Sequence, residues 1–456
     1  MTFYADPVDV TGQHRPISAA GGDGLRVLHL NTFDDSGASR GSVWLHRALR
    51  RKKVDSLVLV GRKTSDDPTI LTPDGIGRMA AKLRMRLDQL PLRSYQKTDE
   101  AFWSIGWLPA WIGAQVRALR PDIIHLHWVG NGFLGIREIA ALGRPLVWTL
   151  RDMWPMTGGC HYTGDCIGYR ESCGRCPQLR SAEPRDLSRR VWESKLRHWR
   201  GADLSLVPIS AWLDECVKHS PLLRSFPSTV IPNGLDIETF RPYDKDAARR
   251  QWNLPTDRRI MLFGAINAMR DPRKGFAELV EALRVLARTG DRSDVLMVVF
   301  GDLTPCDLPD TGIAWRHLGF IDDDRLLAQL YAAADLSIAP SIQEAFGKTL
   351  IEAMACGAPV VAFASGGPKD IVSHRRDGYL AQPFRPDDLA AGMAWCLDAL
   401  DRGELLAARA RAKVEAEFDI DLVADRYIDL YRRILAGESE AVPQELLTTS
   451  DLTASA

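Results

Sequence analysis

The sequence predicts an α/β protein built from two doubly wound parallel-sheet domains that face each other across a cleft. Three observations carry this expectation. In the first half, short apolar runs bounded by turn residues recur: LRVLHLN (25–31), DSLVLV (55–60), PDIIHLH (121–127), PLVWTL (145–150) and LSLVPIS (204–210), with amphipathic segments such as 40–52 between them. The second half repeats the scheme with RRIMLFGA (258–265), DVLMVVFGD (294–302), LSIAPS (336–341) and PVVAF (359–363), and helices are expected at 275–288, at 323–333 and from 347. Between the halves lies IPNGLDIETFRP (231–242), rich in turn formers. Continuously apolar strands, as opposed to alternating ones, belong to sheets covered by helices on both faces. Ligands bind such sheets beyond the carboxyl ends of their strands, so two facing sheets would hold a ligand between them.

The expected boundaries follow. Residues 1–24 form an extension, 25–233 the first domain with a cysteine-rich insertion at 158–178, and 234–417 the second domain. FDIDLVADRYIDLYRRIL reads as a final amphipathic helix within 418–436 that packs back on the first domain, and 437–456 as a mobile tail. A chain of 456 residues has ample core for two domains. With 58 basic and 59 acidic residues the net charge is −1, which removes the strongly basic surface expected of a nucleic-acid binder. The N-terminus lacks the pattern of a secretory signal and no run of about 18 apolar residues occurs, which points to a cytoplasmic protein with peripheral membrane contact at most.

The stretch EAFGKTLIE (344–352) sets two glutamates around a glycine at an expected helix start. Eight residues of helix advance about 12 Å, so the two carboxylates would not converge on one atom as an acid–base pair. They suit a long ligand better. The free amides around Gly347, Lys348 and Thr349 would face an anion such as a phosphate. Glu352, inside the helix, could accept two hydroxyl hydrogen bonds from a ribose, and Glu344, before it, could reach a second polyhydroxylated group.

This stretch, with its flanks YAAADLSIAPSIQEAFGKTLIEAMACGAPVVAFASGGPKDIV (331–372), resembles the E-x7-E signature of the retaining glycosyltransferases of family four. The resemblance covers nearly the whole chain outside the first twenty or so residues and the tail. Within the family it is nearest to the colanic acid, capsule and exopolysaccharide glycosyltransferases, whose pattern VWTLRDMWPMTGGCHYTGDC (147–166) and GRCPQL (174–179) match. The resemblance implies the GT-B fold of two Rossmann-like domains, and transfer of a sugar from a nucleotide sugar, a UDP- or GDP-sugar, to a lipid-linked oligosaccharide acceptor at the inner face of the plasma membrane. It implies no required cofactor and no bound metal. It places Glu344 on the transferred sugar, Glu352 on the ribose, the amides at Phe346 and Gly347 on sugar hydroxyls, those at Lys348 and Thr349 on the diphosphate, and the base near Phe320.

The family also supplies an arginine and a lysine to the leaving diphosphate. GAINAMRDPRKGF (264–276) offers Lys274 as the lysine, but Ala265 stands where many members have the arginine, which leaves Arg273 or Arg270. DDSGASR (34–40) holds Gly37 where members commonly have two or more glycines. Arg151-Asp152 stands where the family often has His-Asp; an arginine cannot be a general base, so Arg151 would neutralise phosphate or pair with Asp152, itself an acceptor contact or a salt-bridge partner. DDD (322–324), open to misreading as a metal site, precedes a helix and reads as capping. Cys160, Cys166, Cys173 and Cys176 are open to a structural zinc, packed or redox-active thiols, or an iron–sulfur cluster. Residues 78–97 carry six basic side chains (Arg78, Lys82, Arg84, Arg86, Arg93, Lys97) ahead of Trp103, Trp107 and Trp111: an anionic-membrane contact, or a solvated face over core tryptophans. A nucleotide-sugar epimerase and a non-catalytic nucleotide-sugar binder remain the alternatives to a transferase.

Overall fold

The computed structural model describes residues 24–35, 37–97, 102–265, 268, 271–302 and 308–438. The N-terminal extension up to residue 23, Arg270 and the tail from 439 lie outside them. The first sheet contains β1 (Arg26–Phe33), β2 (Asp55–Arg62), β3 (Ile70–Leu71), β4 (Ile123–Leu126), β5 (Leu146–Leu150) and β6 (Leu204–Pro208) in the order β3-β2-β1-β4-β5-β6. The second contains β7 (Arg259–Ala265), β8 (Val295–Gly301), β9 (Ala314–His317), β10 (Leu336–Ala339), β11 (Val360–Phe363) and β12 (Gly378–Ala381) in the order β12-β11-β10-β7-β8-β9. Every strand pair is parallel, and both sheets are doubly wound in one pattern. The strand order reverses between β1 and β4, and again between β7 and β10. The loops leaving those strands therefore carry the ligand-facing residues, as the topology of open sheets requires.

The central strands β4, β5 and β8, and the edge strand β6, are buried along their whole length, with no exposed position. Their sequences are accordingly continuous runs of Val, Ile and Leu. The short edge strands β3, β9 and β12 are absent from the sequence-based expectation. β9 is only half-buried to exposed and reads AWRH, and β12 opens with a glycine, so neither presents an apolar run.

Residues Ile420–Leu435 form the last helix, which lies against the helix Gly37–Arg51 of the first domain. Arg51 meets Asp421 at 2.6 Å and Lys52 meets Asp425 at 2.8 Å on its exposed side. Such surface pairs contribute little, and the anchoring comes from the buried side. There Tyr427 bonds Thr149 at 2.7 Å and Tyr431 bonds His125 Nδ1 at 2.6 Å, beneath the sheet. The start of this helix meets the 231–242 segment between the two sheets, where the Phe418 carbonyl accepts from Leu235 N at 2.8 Å.

Removing the Tyr431 hydroxyl would leave His125 Nδ1 without its partner in a fully buried place. Tyr431→Phe is expected to lower the unfolding free energy by about 1–3 kcal/mol, read from urea denaturation midpoints at unchanged m-value.

Candidate active site

A cavity of about 390 Å³ opens between the two sheets and draws its walls from both. On one side the helix Lys348–Ala355 presents its N-terminus. Gly347 caps it with φ +106, a left-handed conformation that a Cβ would resist; that atom would also lie 2.9 Å from Leu350 Cδ1. The first turn of any helix leaves amides without intrahelical partners, and those of Lys348 and Thr349 line the cavity with Phe346 and Gly347. Phe346 itself is buried against Phe418, which fixes the approach to the helix. Phe320 stands half-exposed at the cavity edge.

Glu352 lies one turn into this helix and is 2% exposed. Its Oε2 accepts from Tyr331 Oη at 3.2 Å, while Oε1 has no hydrogen-bond partner. Arg40 and Lys348 each approach that oxygen only to 4.0 Å. Burial pushes the carboxyl upward from its ordinary value, against the pull of both cations. Burial lowers Lys348 to about 7, although its ammonium also lies 4.2 Å over the Trp44 ring. An anion placed beside Lys348 and Arg40 would relieve the tension on the lysine.

Farther along, Lys274 Nζ donates to Glu344 Oε2 at 3.0 Å. Burial alone would raise Glu344, but this ammonium, with the Arg273 charge behind it, holds the carboxyl below its ordinary value. Lys274 is delivered by a tight turn, Pro272–Lys274, that ends on Gly275 at φ +69. A Cβ on Gly275 would sit 1.8 Å from Pro340 O, so only glycine lets the turn close on the loop after β10.

Arg273, expected on the leaving diphosphate, acts on Glu344 through its charge but lines a neighbouring cavity. Its guanidinium bonds Asp271 at 2.5 Å and stacks 4.0 Å over the Tyr162 ring, facing a second cavity instead of the first. The arginines that do line the main cavity are Arg40 and Arg151. Arg40 stands in the quoted DDSGASR stretch, where attention to the glycine passed it over, and it pairs with Asp324 across the cleft. Gly37 opens the helix that carries it. Arg151 does not pair with Asp152. It donates to Asn233 Oδ1 at 2.7 Å and to His127 Nδ1 at 3.2 Å, and burial lowers it to about 10. Asp152 is buried under a different set: His161 Nδ1 at 2.6 Å, Trp128 Nε1 at 2.8 Å and Trp154 N at 2.9 Å. Burial would raise its carboxyl, and these donors hold it below its ordinary value. It orders the loop after β5 and is absent from the cavity lining. Of the DDD run, Asp323 caps the following helix, Asp324 meets Arg40, and Asp322 lines the cavity.

Among the described residues, one set of His, Cys, Asp and Glu side chains brings three ligating atoms within 4.8 Å: His29 on β1, His125 on β4 and His127 just after it. Its hydrogen bonds decide its character. An arginine only donates, so His127 Nδ1 accepts from Arg151 and its Nε2 carries the proton given to His29 Nδ1 at 2.9 Å. With that proton the nitrogen offers no lone pair; His29 and His127 form a hydrogen-bond chain that ends on Arg151, and His125 is held separately by Tyr431 and Thr149. The four clustered cysteines do not converge in this way; all are free, and burial raises Cys173 to about 12 and Cys176 to about 11. Lys195, fully buried beneath them, donates to Thr157 O at 2.9 Å and braces the insertion. In the basic stretch, Arg84 is buried and donates to Phe133 O at 2.9 Å, and Trp103 is buried, whereas Trp107 and Trp111 are exposed.

Two parallel-sheet domains with a cation-lined, hydroxyl-accepting cleft define the architecture of a GT-B glycosyltransferase. Sequence profiles agree: Glycosyltransferase Family 4 matches residues 36–239, and Glycosyl transferases group 1 matches residues 244–413. D-inositol 3-phosphate glycosyltransferase 2 of Catenulispora acidiphila is 31% identical over 341 residues, covering 70% of this chain and 74% of that protein. The D-inositol 3-phosphate glycosyltransferase of Thermobispora bispora is 29% identical over 344 residues, covering 71% and 73%. Among solved structures, sucrose-phosphate synthase of Thermosynechococcus elongatus superposes with a TM-score of 0.65 at 19% identity, over 90% of this chain and 100% of that one. Anabaena HepE in complex with UDP and glucose gives 0.59 at 19% identity, over 90% and 99%. The chain belongs to the group 1 glycosyltransferases of family 4.

Lys274→Met would strand Glu344. The ordinary carboxyl value is 4.5 and the folded one is lower, so the pair's contribution is present above 4.5 and is lost as pH falls through the lowered value. The variant is expected to be less stable by about 1–3 kcal/mol at pH 7, a gap that closes in urea titrations as pH falls below 4.5 and through the lowered value.

Proposed function

We propose that this glycosyltransferase moves a sugar, with retention of configuration, from a nucleoside-diphosphate sugar to a lipid-linked oligosaccharide of surface-polysaccharide assembly. The observation that carries the donor is Glu352 Oε1, a buried carboxylate oxygen without a partner that faces a cavity edged by helix-start amides. A ribose diol supplies the missing donors, and a diphosphate then reaches the amides of Lys348 and Thr349, the Lys348 ammonium and Arg40. The transferred sugar lies against Glu344 and the Phe346–Gly347 backbone.

As the glycosidic bond breaks, charge grows on the diphosphate. Lys274 and Arg151 are the cations placed to stabilise it, and no metal is assigned to this step. Following the family resemblance, the acceptor hydroxyl attacks from the leaving-group face and a phosphate oxygen takes its proton. Solved complexes of Anabaena HepE contain UDP and UDP-glucose, which supports a uridine nucleotide over the others.

The acceptor reading rests on the insertion sequence shared with the colanic acid and capsule group, and on the surface beside it. Leu83, Trp107 and Trp111 are exposed on the stretch that also carries exposed Arg86 and Arg93, a combination suited to an anionic membrane where a lipid-linked acceptor resides. Among the described residues no helix is long and apolar enough to cross a membrane. The names of the relatives offer a second reading, a polyol phosphate acceptor.

A thermal-shift screen against UDP, GDP, ADP, CMP and dTDP tests the donor. One nucleotide, UDP by preference, is expected to raise the melting temperature by several degrees at 100 Kd, and Glu352→Ala to abolish the rise. A folded protein that responds to none of them, or a variant that responds as the wild type does, sinks the assignment.

A further inference from the structure

A second cavity, about 400 Å³, lies on the far side of Tyr162 from the first; Tyr162 lines both. Its floor is the cysteine-rich insertion and its opposite wall is the turn at 271–273 of the second domain. The size is that of a small-molecule site, about 300–1,000 Å³ in general. The insertion is tied to the second domain where the two cavities meet: Gly164 N donates to Gln343 Oε1 at 3.1 Å, one residue before Glu344.

Its chemistry differs from that of the donor cavity. Four cations, Arg40, Arg151, Lys274 and Lys348, line the donor cavity. Among the described residues Arg273 is the one Lys or Arg of the second, and it is committed, bonded to Asp271 at 2.5 Å and stacked on Tyr162. Asp165, by contrast, is exposed at the rim and has no ion pair among the described residues. Among the described residues, a phosphate entering here would meet an unpaired carboxylate and no free cation. Sugar hydroxyls would donate to that carboxylate.

Phe102 completes the site. Its ring is 50% exposed, yet it is held by neighbours at 4.8 Å (His161) and 5.7 Å (Trp128) between centroids. His161 is locked in turn: Nδ1 faces Asp152 at 2.6 Å and Nε2 faces Ser104 Oγ at 2.8 Å. A rigid, half-bare aromatic face beside hydroxyl acceptors is a platform for the apolar face of a pyranose ring.

We propose that this second cavity is the acceptor subsite and that it takes an unphosphorylated sugar ring, stacked on Phe102 with its hydroxyls toward Asp165. The proposal rests on the donor assignment above and narrows its acceptor: the relatives' names specify D-inositol 3-phosphate, and this cavity selects against a phosphorylated polyol.

Saturation-transfer NMR on the UDP-loaded protein tests it, with methyl α-D-glucopyranoside, methyl α-D-galactopyranoside, methyl α-D-mannopyranoside and D-inositol 3-phosphate as probes. At least one glycoside is expected to receive saturation, and Phe102→Ala to cut that signal at least fivefold while the UDP melting shift stays at its wild-type value. Silence from all three glycosides on a UDP-responsive protein overturns the proposal. So does glycoside binding that Phe102→Ala leaves unchanged, or inositol phosphate binding that it weakens. If the protein responds to no nucleotide at all, the donor assignment fails first and the acceptor subsite falls with it.

Discussion

The arrangement depends on one constraint: a glutamate carboxyl is buried deep in a cleft between two domains, where burial raises it and two cations pull it back down. Glu352 is buried, one of its oxygens has no hydrogen-bond partner, and the charges that offset it come from both sides. Lys348 belongs to its own helix, whereas Arg40 reaches over from the first domain and is fastened to Asp324 of the second. The cavity's electrostatics therefore exist only when the domains face each other as they do here. An isolated second domain would keep the helix start and lose Arg40.

A second line of order runs through the first sheet. His29 and His125 are register partners on β1 and β4; His29 bonds His127, which bonds Arg151 at the cavity wall, while His125 bonds Tyr431 and Thr149 instead. Arg151 in turn holds Asn233, in the segment between the two sheets. The final helix anchors a separate set, in which Tyr431 bonds His125 and Tyr427 bonds Thr149. A guanidinium in the cleft is thus oriented by groups buried beneath the strands and by the segment that links the domains. Such preorganisation is what electrostatic stabilisation of a leaving group requires, since the dipoles need not reorganise as charge develops.

Much of this was legible in the sequence, for physical reasons that differ by residue. Buried parallel strands write themselves as continuous apolar runs, so the central strands were visible and the short edge strands β3, β9 and β12 were not. EAFGKTLIE was readable because a helix start, a left-handed glycine and two acids at fixed spacing each leave a local mark. Arg40, Tyr331 and Asn233 leave none: their importance arises from contacts across more than twenty residues of chain or across the cleft. Arg273 shows the converse. Adjacent to Lys274 in sequence, it points the other way because the Pro272–Lys274 turn sends successive side chains to different cavities. Asp152 was legible as a buried, paired carboxylate, but its partner His161 sits nine residues on, within the insertion.

A crystal structure of the protein with UDP tests the central claim most directly. The account predicts the ribose diol within about 3 Å of Glu352 Oε1 and the diphosphate on the amides of Lys348 and Thr349, with Arg40 and Lys274 turned toward it. A nucleotide bound elsewhere, or bound here with its ribose away from Glu352, would contradict it.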